Sequence, residues 1–476
     1  MRKILLIAPN NPQTTRFQML TAGITMPLGL GYLASYLKAA GFDVSILDNS
    51  VENLSVKEVI ARLSEYNPDI VGLSALTYAV PNALRLAKVV KEFNPSITVI
   101  MGGGHATALA EDLLRDKSVD VVVRGEGENT LLELVICLSN GNDLSGVNGI
   151  VYRKSNENIV NPCRELIQDL DSIPFPAYEL LPVKKYFLPS SRCRTNRTLG
   201  SIVTSRGCVF RCSFCSRGVF GDEVRFRSPE NVIEEIQLLV NRYKIGELIF
   251  WDDNFALDRE RALKICKLML EKKLNIVWSC NNRISLFSEE ICRAFSEAGC
   301  RTINFGVESG SQAIRKQINK DFSSQDIFHA VRLCRKYKLA VSCSFIFGLP
   351  GEGMKEALET LKLAIELNPD YAIFCILVPM PGSELFDQAV REGLIDEEKQ
   401  DWERYVTLLS AAPPVISLGG LSRDDLMVLQ KMVFRKFYFR GRYIHDLLLR
   451  MHSFNDVKVA FRGIHAILRH QIAAMG

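Results

Sequence analysis

The sequence lacks a long hydrophobic run and a strong excess of either charge. No uninterrupted apolar stretch approaches the ~20 residues that span a bilayer, which argues against a transmembrane helix. The N-terminal run ILLIAP is too short for the core of a signal peptide and is bounded by Pro9. A net charge of +4 is too small to indicate a nucleic-acid partner. We therefore expect a cytoplasmic globular protein that does not bind nucleic acid.

Residues 1–136 contain no cysteine, and Cys137 is the first of the thirteen cysteines in the chain. In a cytoplasmic protein the thiols are expected to be reduced, so a tight cluster of cysteines indicates a bound metal. Cys163 and Cys193 lie in an interdomain stretch and are interpreted as structural. Most of the others stand singly in apolar patterns and are interpreted as core residues. These core candidates are Cys137, Cys266, Cys280, Cys292, Cys300, Cys334, Cys343 and Cys375.

Residues 1–141 alternate short apolar runs with helical patterns, which predicts a parallel sheet covered by helices on both faces. Strands are predicted at 3–9, 43–48, 69–75, 98–103 and 119–126. Ligands of such sheets bind beyond the carboxyl ends of the strands. Small and polar residues follow these strands and would let the backbone approach a large ligand closely, although they would also suit ordinary turns. The candidate contacts are Ser74, Thr77, Gly102, Gly103, His105, Gly125 and Glu126.

A second alternating series predicts a second domain over residues 199–385. Its six strand–helix repeats indicate a partial (β/α)6 barrel, with its chemistry at the carboxyl ends of the strands. Six repeats are fewer than the eight of a closed TIM barrel, so we expect a wide mouth for a bulky substrate. Residues 142–198 are predicted to be a connector with a hairpin, and residues 386–476 to be helical. The predicted barrel strands are 200–206, 247–253, 276–281, 302–309, 340–350 and 371–380.

Three cysteines stand close together after the first of these strands. Cys208, Cys212 and Cys215 have the spacing C-x3-C-x2-C, and no fourth cysteine or histidine follows nearby. A closed zinc site needs four ligands. A [4Fe-4S] cluster held by three thiolates keeps one iron open for another ligand. The spacing therefore favours a cluster whose fourth ligand is a substrate or cofactor.

This motif resembles the cluster motif of the radical S-adenosylmethionine (SAM) superfamily. The match extends to Phe214, just before the last cysteine, and to Arg206 and Gly207, just before the first. The resemblance implies that the amino and carboxylate groups of SAM chelate the open iron. It also implies that an electron from the cluster cleaves SAM into methionine and a 5′-deoxyadenosyl radical, which abstracts a hydrogen atom from an unactivated carbon.

Further elements resemble SAM-contacting positions of the same superfamily, in the same order along the barrel. WDDNF follows the second strand, NNRIS the third, FGVESGS ends the fourth, and FIFGLPGE ends the fifth. Each alone would also suit a surface residue or a turn. The SAM contacts implied in this way are Phe214, Asp252, Asp253, Asn254, Arg283, Glu308, Ser309 and Gly348.

The first domain looks like the Rossmann-like cobalamin-binding domain of the class B radical SAM enzymes, and the joint resemblance covers roughly residues 1–390. Many cobalamin proteins carry an Asp-x-His-x-x-Gly motif after the first strand, but the loop APNNPQTTRFQ has no histidine. His105 is a candidate contact for the cobalamin tail, or else a loop histidine that caps the next helix. Methylthiotransferases are excluded, because their domain before the triad holds three cluster cysteines, whereas the first cysteine of this chain is Cys137 and no second cluster can form there.

The resemblance predicts a cobalamin-dependent radical SAM enzyme that uses a [4Fe-4S] cluster, SAM and cobalamin to methylate an unactivated carbon of a small molecule or lipid. One alternative is radical ring formation, rearrangement or coupling without methyl transfer. Another is a non-catalytic cobalamin sensor or carrier. A low-potential donor such as flavodoxin or ferredoxin is the expected electron source. The basic stretch 434–472, with eight Lys and Arg, is either a membrane-surface helix or a helical cap on the barrel.

Overall fold

Two parallel sheets organise the part of the chain that the computed structural model describes. The described residues are 2–10, 23–155, 157–188, 195, 197–406 and 414–449. Cys193, most of the loop after the first strand and residues 450–472 of the predicted basic stretch lie outside them. In the described residues, no helix is long and apolar enough to cross a membrane.

The first sheet has seven strands in the order β2-β1-β3-β4-β5-β6-β7. Strands β1 to β5 run parallel, and the hairpin β6–β7 continues the sheet in antiparallel register. The chain reverses its direction of winding between β1 and β3, so the carboxyl ends there border a crevice. The strands are β1 (Lys3–Ala8), β2 (Asp43–Asp48), β3 (Ile70–Ser74), β4 (Thr98–Gly102), β5 (Val121–Val123), β6 (Ile150–Lys154) and β7 (Glu157–Val160).

Helices cover both faces of this sheet, which explains why its strands read as continuous apolar runs. The residues of β1 alternate between two apolar cores, with Leu5 and Ile7 in one and Ile4 and Leu6 in the other. The helices are α1 (Leu28–Ala39), α2 (Asn49–Glu52), α3 (Val56–Tyr66), α4 (Val80–Phe93), α5 (Gly104–Ala108), α6 (Ala110–Leu113) and α7 (Gly127–Asn140).

The second sheet has six parallel strands in the order β15-β14-β13-β12-β11-β8. Because β8 and β15 form its two edges, the predicted partial barrel is confirmed. A two-stranded ribbon, β9–β10, stands at the carboxyl end of β8. The strands are β8 (Leu199–Ile202), β9 (Ser205–Arg206), β10 (Arg225–Phe226), β11 (Glu247–Phe250), β12 (Val277–Asn282), β13 (Cys300–Glu308), β14 (Ala340–Phe347) and β15 (Tyr371–Ile376).

Helices pack against the outer face of the second sheet and bury a large apolar core that includes the predicted core cysteines Cys266, Cys280, Cys292 and Cys300. These helices begin with side-chain caps where serine or aspartate precedes the first turn, as Ser228 and Asp258 do. The helices are α8 (Pro229–Tyr243), α9 (Arg259–Glu271), α10 (Glu289–Glu297), α11 (Gln312–Gln317), α12 (Ser324–Lys336) and α13 (Met354–Leu367).

The C-terminal region contains α14 (Glu384–Arg391), α15 (Arg423–Tyr438) and α16 (Gly441–Leu449). Helix α15 lies against the edge strand β15, where the Tyr438 hydroxyl donates to the Ala372 carbonyl at 2.7 Å. The segment between α14 and α15 instead completes a core of the first domain, to which it contributes Trp402 and Tyr405. The described part of the predicted basic stretch thus packs on the barrel, as the alternative of a helical cap predicts.

Candidate cofactor site

The three cysteines lie on the loop between β9 and β10, at the carboxyl end of the barrel. Gly207 has a φ of +89°, and a Cβ atom there would lie 2.1 Å from the carbonyl oxygen of Glu223. Only glycine fits at this close approach, so the loop can begin immediately before Cys208. Cys208 and Cys212 are half-buried and Cys215 is exposed. The thiols therefore face an open region on top of the barrel.

Two predicted SAM contacts lie directly against the cysteine sulfurs. The Nη1 of Arg283 lies 3.7 Å from the Sγ of Cys212, and its guanidinium stands 4.1 Å from the ring centre of Phe210 within the same loop. The Nδ2 of Asn254 lies 3.5 Å from the Sγ of Cys208. These donors would compensate the negative charge of the sulfurs if they bound a metal.

The protein environment opposes ionisation of the Cys208 thiol when no metal is bound. Burial raises the pKa of Cys208, and the charges of Asp253 and Cys212 add to the effect. A thiol with a raised pKa stays protonated in the metal-free protein. It is deprotonated when it binds a metal, so metal binding releases protons.

The donor set fits a cluster rather than a single ion. Among the described residues, no three His, Cys, Asp or Glu side chains converge on a point that one metal ion would occupy. Thiolates that hold three different irons of a [4Fe-4S] cluster stand further apart than ligands that share one ion. Three thiolates without a fourth protein ligand therefore suit a cluster with an open iron better than a closed zinc site.

The adjacent Asp252 and Asp253 have different surroundings. The Oδ1 of Asp252 accepts from the backbone N–H of Thr204 at 2.6 Å and of Ser205 at 3.1 Å, and Oδ2 accepts from the Thr204 hydroxyl. Asp252 is buried by these contacts and fixes the segment that enters the cysteine loop. Asp253, by contrast, is exposed. This placement disfavours a cofactor contact through Asp252 and favours one through Asp253.

The end of β13 carries a strained backbone and a buried ion pair. Glu308 has a φ of +66°, at a shift in the pairing register with β14. Its Oε1 accepts from the Nζ of Lys320 at 2.6 Å, and both side chains are buried. The same Nζ lies 5.6 Å from the ring centre of Phe214. Lys320 is thus a site residue that sequence reasoning missed, because no motif surrounds it.

Two further predicted contacts at this end of the barrel lie in tight backbone settings. Ser309 is fully buried, and its hydroxyl lies 3.3 Å from that of Thr360. Gly348 has a φ of +84°, and its N–H donates to the Oε2 of Glu352 at 2.5 Å. Glu352 is fully buried, which raises its pKa to about 7. These contacts hold the glycine-containing turn after β14 in one shape.

The candidate contacts of the first domain gather at one edge of its sheet. Ser74 and Gly102 end the neighbouring strands β3 and β4, and Thr77 begins the turn after β3. Gly103 has a φ of +114°, and a Cβ atom there would lie 3.2 Å from the Ala75 carbonyl oxygen. The N–H of Gly125, after β5, donates to the Thr107 hydroxyl at 3.0 Å, which ties the third of these loops to the second.

His105 and Glu126 are less accessible than the sequence predicted. His105 is buried, with its ring 4.7 Å from that of Trp402, and in the described residues neither ring nitrogen has a hydrogen-bond partner. Burial lowers the pKa of His105 to about 4, so the ring is neutral. The carboxylate of Glu126 pairs with Arg206 at 2.9 Å and with Arg225 at 2.8 Å. This pairing disfavours a cofactor contact through the Glu126 side chain.

The cysteine loop meets the first domain directly. A Cβ atom on Gly218 would lie 3.3 Å from the Cγ2 of Thr107 in α5. A Cβ atom on Gly382, in the turn after β15, would lie 3.0 Å from the Oγ of Ser216 and 3.4 Å from the Cβ of Ala108. The carboxyl ends of both sheets therefore face each other, with the cysteines between them.

Comparison with known proteins agrees with this arrangement. The B12 binding domain model matches residues 21–135, and the Radical SAM superfamily model matches residues 202–364. An uncharacterised methyltransferase of Pyrococcus horikoshii is 37% identical over 464 residues, which cover 97% of this chain and 98% of the relative. The anaerobic magnesium-protoporphyrin IX monomethyl ester cyclase of Rubrivivax gelatinosus is 31% identical over 433 residues, which cover 89% of this chain and 75% of the relative.

A solved structure shares the whole fold. The radical SAM methyltransferase TsrM from Kitasatospora setae, with cobalamin and a [4Fe-4S] cluster bound, superposes with a TM-score of 0.73 at 17% identity and full coverage of both chains. The two matched domains and the arrangement of their sheets define a radical SAM enzyme with a cobalamin-binding domain. The chain belongs to the class B radical SAM family, and the predicted cofactors are confirmed at the level of the family.

Proposed function

We propose that the enzyme transfers a methyl group from SAM to an unactivated carbon of a small-molecule substrate. The observation that carries this proposal is the direct contact of the cysteine loop with the cobalamin-binding domain through Gly218 on Thr107, beside the turn at Gly382, which packs against both Ser216 of the loop and Ala108. Small residues at these contacts would allow the two proposed cofactor sites to lie close together. The methyltransferase of Pyrococcus horikoshii, to which the chain is similar along its whole length, supports the same chemistry.

The residues have distinct proposed roles. Cys208, Cys212 and Cys215 hold the cluster, while Arg283 and Asn254 stabilise its sulfurs. When bound, the cofactors supply reductive cleavage of SAM, hydrogen abstraction and a transferable methyl group. The protein contributes binding, orientation and exclusion of water.

SAM itself is proposed to lie over the carboxyl ends of the second to fifth barrel strands. Asp253 offers an exposed carboxylate to its amino group, and the turn at Gly348 leaves room for the adenine. The carboxylate of Glu308 lies beside Ser309, at the position that the family resemblance assigns to the ribose and carboxylate contacts. Lys320 holds Glu308 and adds a positive charge near Phe214.

Ring formation is a second candidate. The relative from Rubrivivax gelatinosus is named a cyclase, and the chain covers 75% of its length at 31% identity. Both reactions begin with the same cleavage of SAM and with a substrate radical. They differ in whether that radical meets a methyl donor or another carbon of the substrate, which depends on how the substrate is oriented.

Two partners belong to the proposal. The first is a low-potential electron donor of the flavodoxin or ferredoxin class, which cluster reduction requires. The second is a membrane surface, which the exposed Leu448 and Leu449 at the end of α16 would contact. Such a contact would suit a lipid substrate.

The test is anaerobic reconstitution with iron, sulfide and cobalamin, followed by incubation with reductant and SAM that carries a deuterated methyl group. We expect 5′-deoxyadenosine and methionine from wild-type protein, and a labelled product when a cell or lipid extract is added. Deoxyadenosine without a labelled product, together with a new cyclised compound, would favour ring formation.

Cysteine variants separate an enzyme from a cobalamin carrier. Cys212→Ala should abolish deoxyadenosine formation and leave cobalamin binding intact. Cys163→Ala is the matched control, because Cys163 is also an accessible cysteine but lies in the connector. Cobalamin binding without SAM cleavage in the wild-type protein would support a non-catalytic sensor or carrier and overturn the proposal.

A further inference from the structure

A buried ion cluster joins the first domain to the base of the cysteine loop. Arg206 donates from Nη1 to the Oε1 of Glu126 at 2.9 Å and from Nη2 to the Oε1 of Glu128 at 2.5 Å. Arg225 donates from Nη1 to the Oε2 of Glu126 at 2.8 Å. The Oε2 of Glu126 also accepts from the backbone N–H of Ile167, at 2.7 Å. We call these two glutamates and two arginines the interdomain ion cluster.

The interdomain ion cluster is buried and formally neutral. Each of its four residues is at most 5% exposed, and two positive charges face two negative ones. Burial opposes the charge of Arg206, but Glu128 and Glu126 outweigh it and raise its pKa above the ordinary value. Removing one member leaves an uncompensated buried charge, which is strongly unfavourable. The geometry of the cluster is therefore tightly specified.

The two arginines hold both ends of the cysteine loop. Arg206 and Arg225 are paired residues of the ribbon β9–β10, and the loop runs between them. Arg206 is separated from Cys208 only by the tightly packed Gly207. At the other end, the Nη2 of Arg225 donates to the carbonyl of Phe220 at 3.1 Å. Whatever fixes the two guanidinium groups fixes the base of the loop.

The glutamates come from the cobalamin side of the first domain. Glu126 is the N-cap of α7 and Glu128 lies in its first turn, where the helix dipole favours a negative charge. The preceding Gly125 belongs to the sheet edge at which cobalamin is expected, and its N–H is held by Thr107. One segment of four residues thus contacts both the cofactor edge of the first domain and the base of the cysteine loop.

We propose that Glu126 and Glu128 are positioning residues, which act through the two arginines of the interdomain ion cluster to fix the cysteine loop relative to the cobalamin-binding domain. This inference rests on the proposed function, because it assumes a cofactor on each side of the cluster. The bidentate reach of Arg206 is essential, because a lysine ammonium cannot span two carboxylates in fixed geometry. Loss of the ion pairs of Arg206 or of Arg225 does not remove any of the three cysteines, but it lets their loop take several positions.

The experiment uses full-length Glu128→Gln and Arg206→Lys. The control is Glu247→Gln, the same change in another buried carboxylate, located at the opposite, amino end of β11. Amide hydrogen exchange of a peptide covering 204–218 is measured in the cofactor-free chain. We expect exchange to be about tenfold faster or more in both test variants, because the loop opens locally at lower cost, and to stay near the wild-type rate in the control.

A second measurement reports on the cluster itself. After reconstitution, the EPR lines of the reduced cluster should broaden in Glu128→Gln and Arg206→Lys and stay narrow in Glu247→Gln. A change that is equal in test and control variants would show general destabilisation and overturn the inference, as would unchanged exchange in both test variants. If Glu128→Gln does not fold, Arg206→Lys carries the test, because it retains the positive charge.

These outcomes are distinguishable from failure of the proposed function. The exchange measurement needs no cofactor, so it decides the role of the interdomain ion cluster even if the wild-type protein does not cleave SAM. Conversely, SAM cleavage and methyl transfer by the wild-type protein with unaltered loop exchange in the variants would reject only the positioning role.

Discussion

Glu352 makes the stability of the barrel depend on pH near neutrality. Its side chain is fully buried next to the turn at Gly348, and burial raises its pKa from 4.5 to about 7. A difference of one in pKa corresponds to about 1.4 kcal/mol, so this rise corresponds to about 3 kcal/mol. Below pH 4.5 the carboxyl is protonated in both the folded and the unfolded chain, and no penalty arises.

The sign of the effect follows from proton binding. Between pH 4.5 and about 7 the folded protein keeps a proton on Glu352 that the unfolded chain releases. The free energy of unfolding therefore falls as the pH rises through this window, and the loss is complete above about pH 7. Glu352→Gln keeps an oxygen that accepts from the N–H of Gly348 and removes the titration.

The assay is urea denaturation of the cofactor-free protein at several pH values from 5 to 8. We expect wild type and Glu352→Gln to converge near pH 5, and the variant to become more stable by about 3 kcal/mol at pH 8. Glu366→Gln, at an exposed position of the following helix α13, is the matched control and should show a constant difference. A difference between wild type and Glu352→Gln that does not change with pH would refute the reasoning.

Three other perturbations test the site. Arg283→Gln removes the donor to Cys212 and should lower the midpoint potential of the cluster by about 60 mV in a redox titration, since a charge-assisted hydrogen bond is worth about 1.5 kcal/mol. Gly207→Ala places a Cβ atom against the Glu223 carbonyl and should abolish most iron binding after reconstitution. Burial lowers the pKa of His105 from 6.5 to about 4, so the unfolded chain binds a proton in this pH range that the folded protein does not. The wild type should therefore lose about 3 kcal/mol of stability as the pH decreases from 6.5 to 4, and His105→Phe should show a weaker pH dependence in acid denaturation.

Controls for these variants come from positions of the same type. Gly146→Ala changes a glycine with open space around it and should retain iron. Arg301→Gln removes an exposed arginine on the barrel and should leave the midpoint potential unchanged. An unaltered potential in Arg283→Gln, full iron content in Gly207→Ala, or identical acid denaturation of His105→Phe and wild type would each contradict the corresponding argument.

Local sequence determined most of the fold and the position of the cysteine loop. Strands of both sheets were predicted because fully covered parallel strands are short apolar runs between turn residues. The cysteines were recognised from their spacing alone. The exact partner of each polar side chain was less predictable. Asp252 and Asp253 are neighbours in sequence, yet Asp252 is buried by hydrogen bonds to Thr204 and Ser205 whereas Asp253 is exposed, a difference that the local sequence pattern does not encode.

The side-chain contacts that sequence analysis did not predict are formed between residues far apart in the chain. Glu126 was expected at the cofactor edge from its position after β5, but its partner Arg206 lies 80 residues further along the chain. Lys320 reaches Glu308 from the far end of a short helix and belongs to no motif. His105 is buried by Trp402 from the C-terminal region. Such contacts depend on how domains pack, which local periodicity does not encode.

The distribution of charge around the cysteines divides the site into a rigid and an open side. On the rigid side, Arg206, Asp252 and Arg283 each have protein partners that leave little freedom for the loop. On the open side, Asp253 and Cys215 are exposed. We expect the residues that choose the substrate to line the gap between the cysteine loop and the first domain. The same scaffold can therefore serve methylation or ring formation, and changes in that gap should alter the product while SAM cleavage persists.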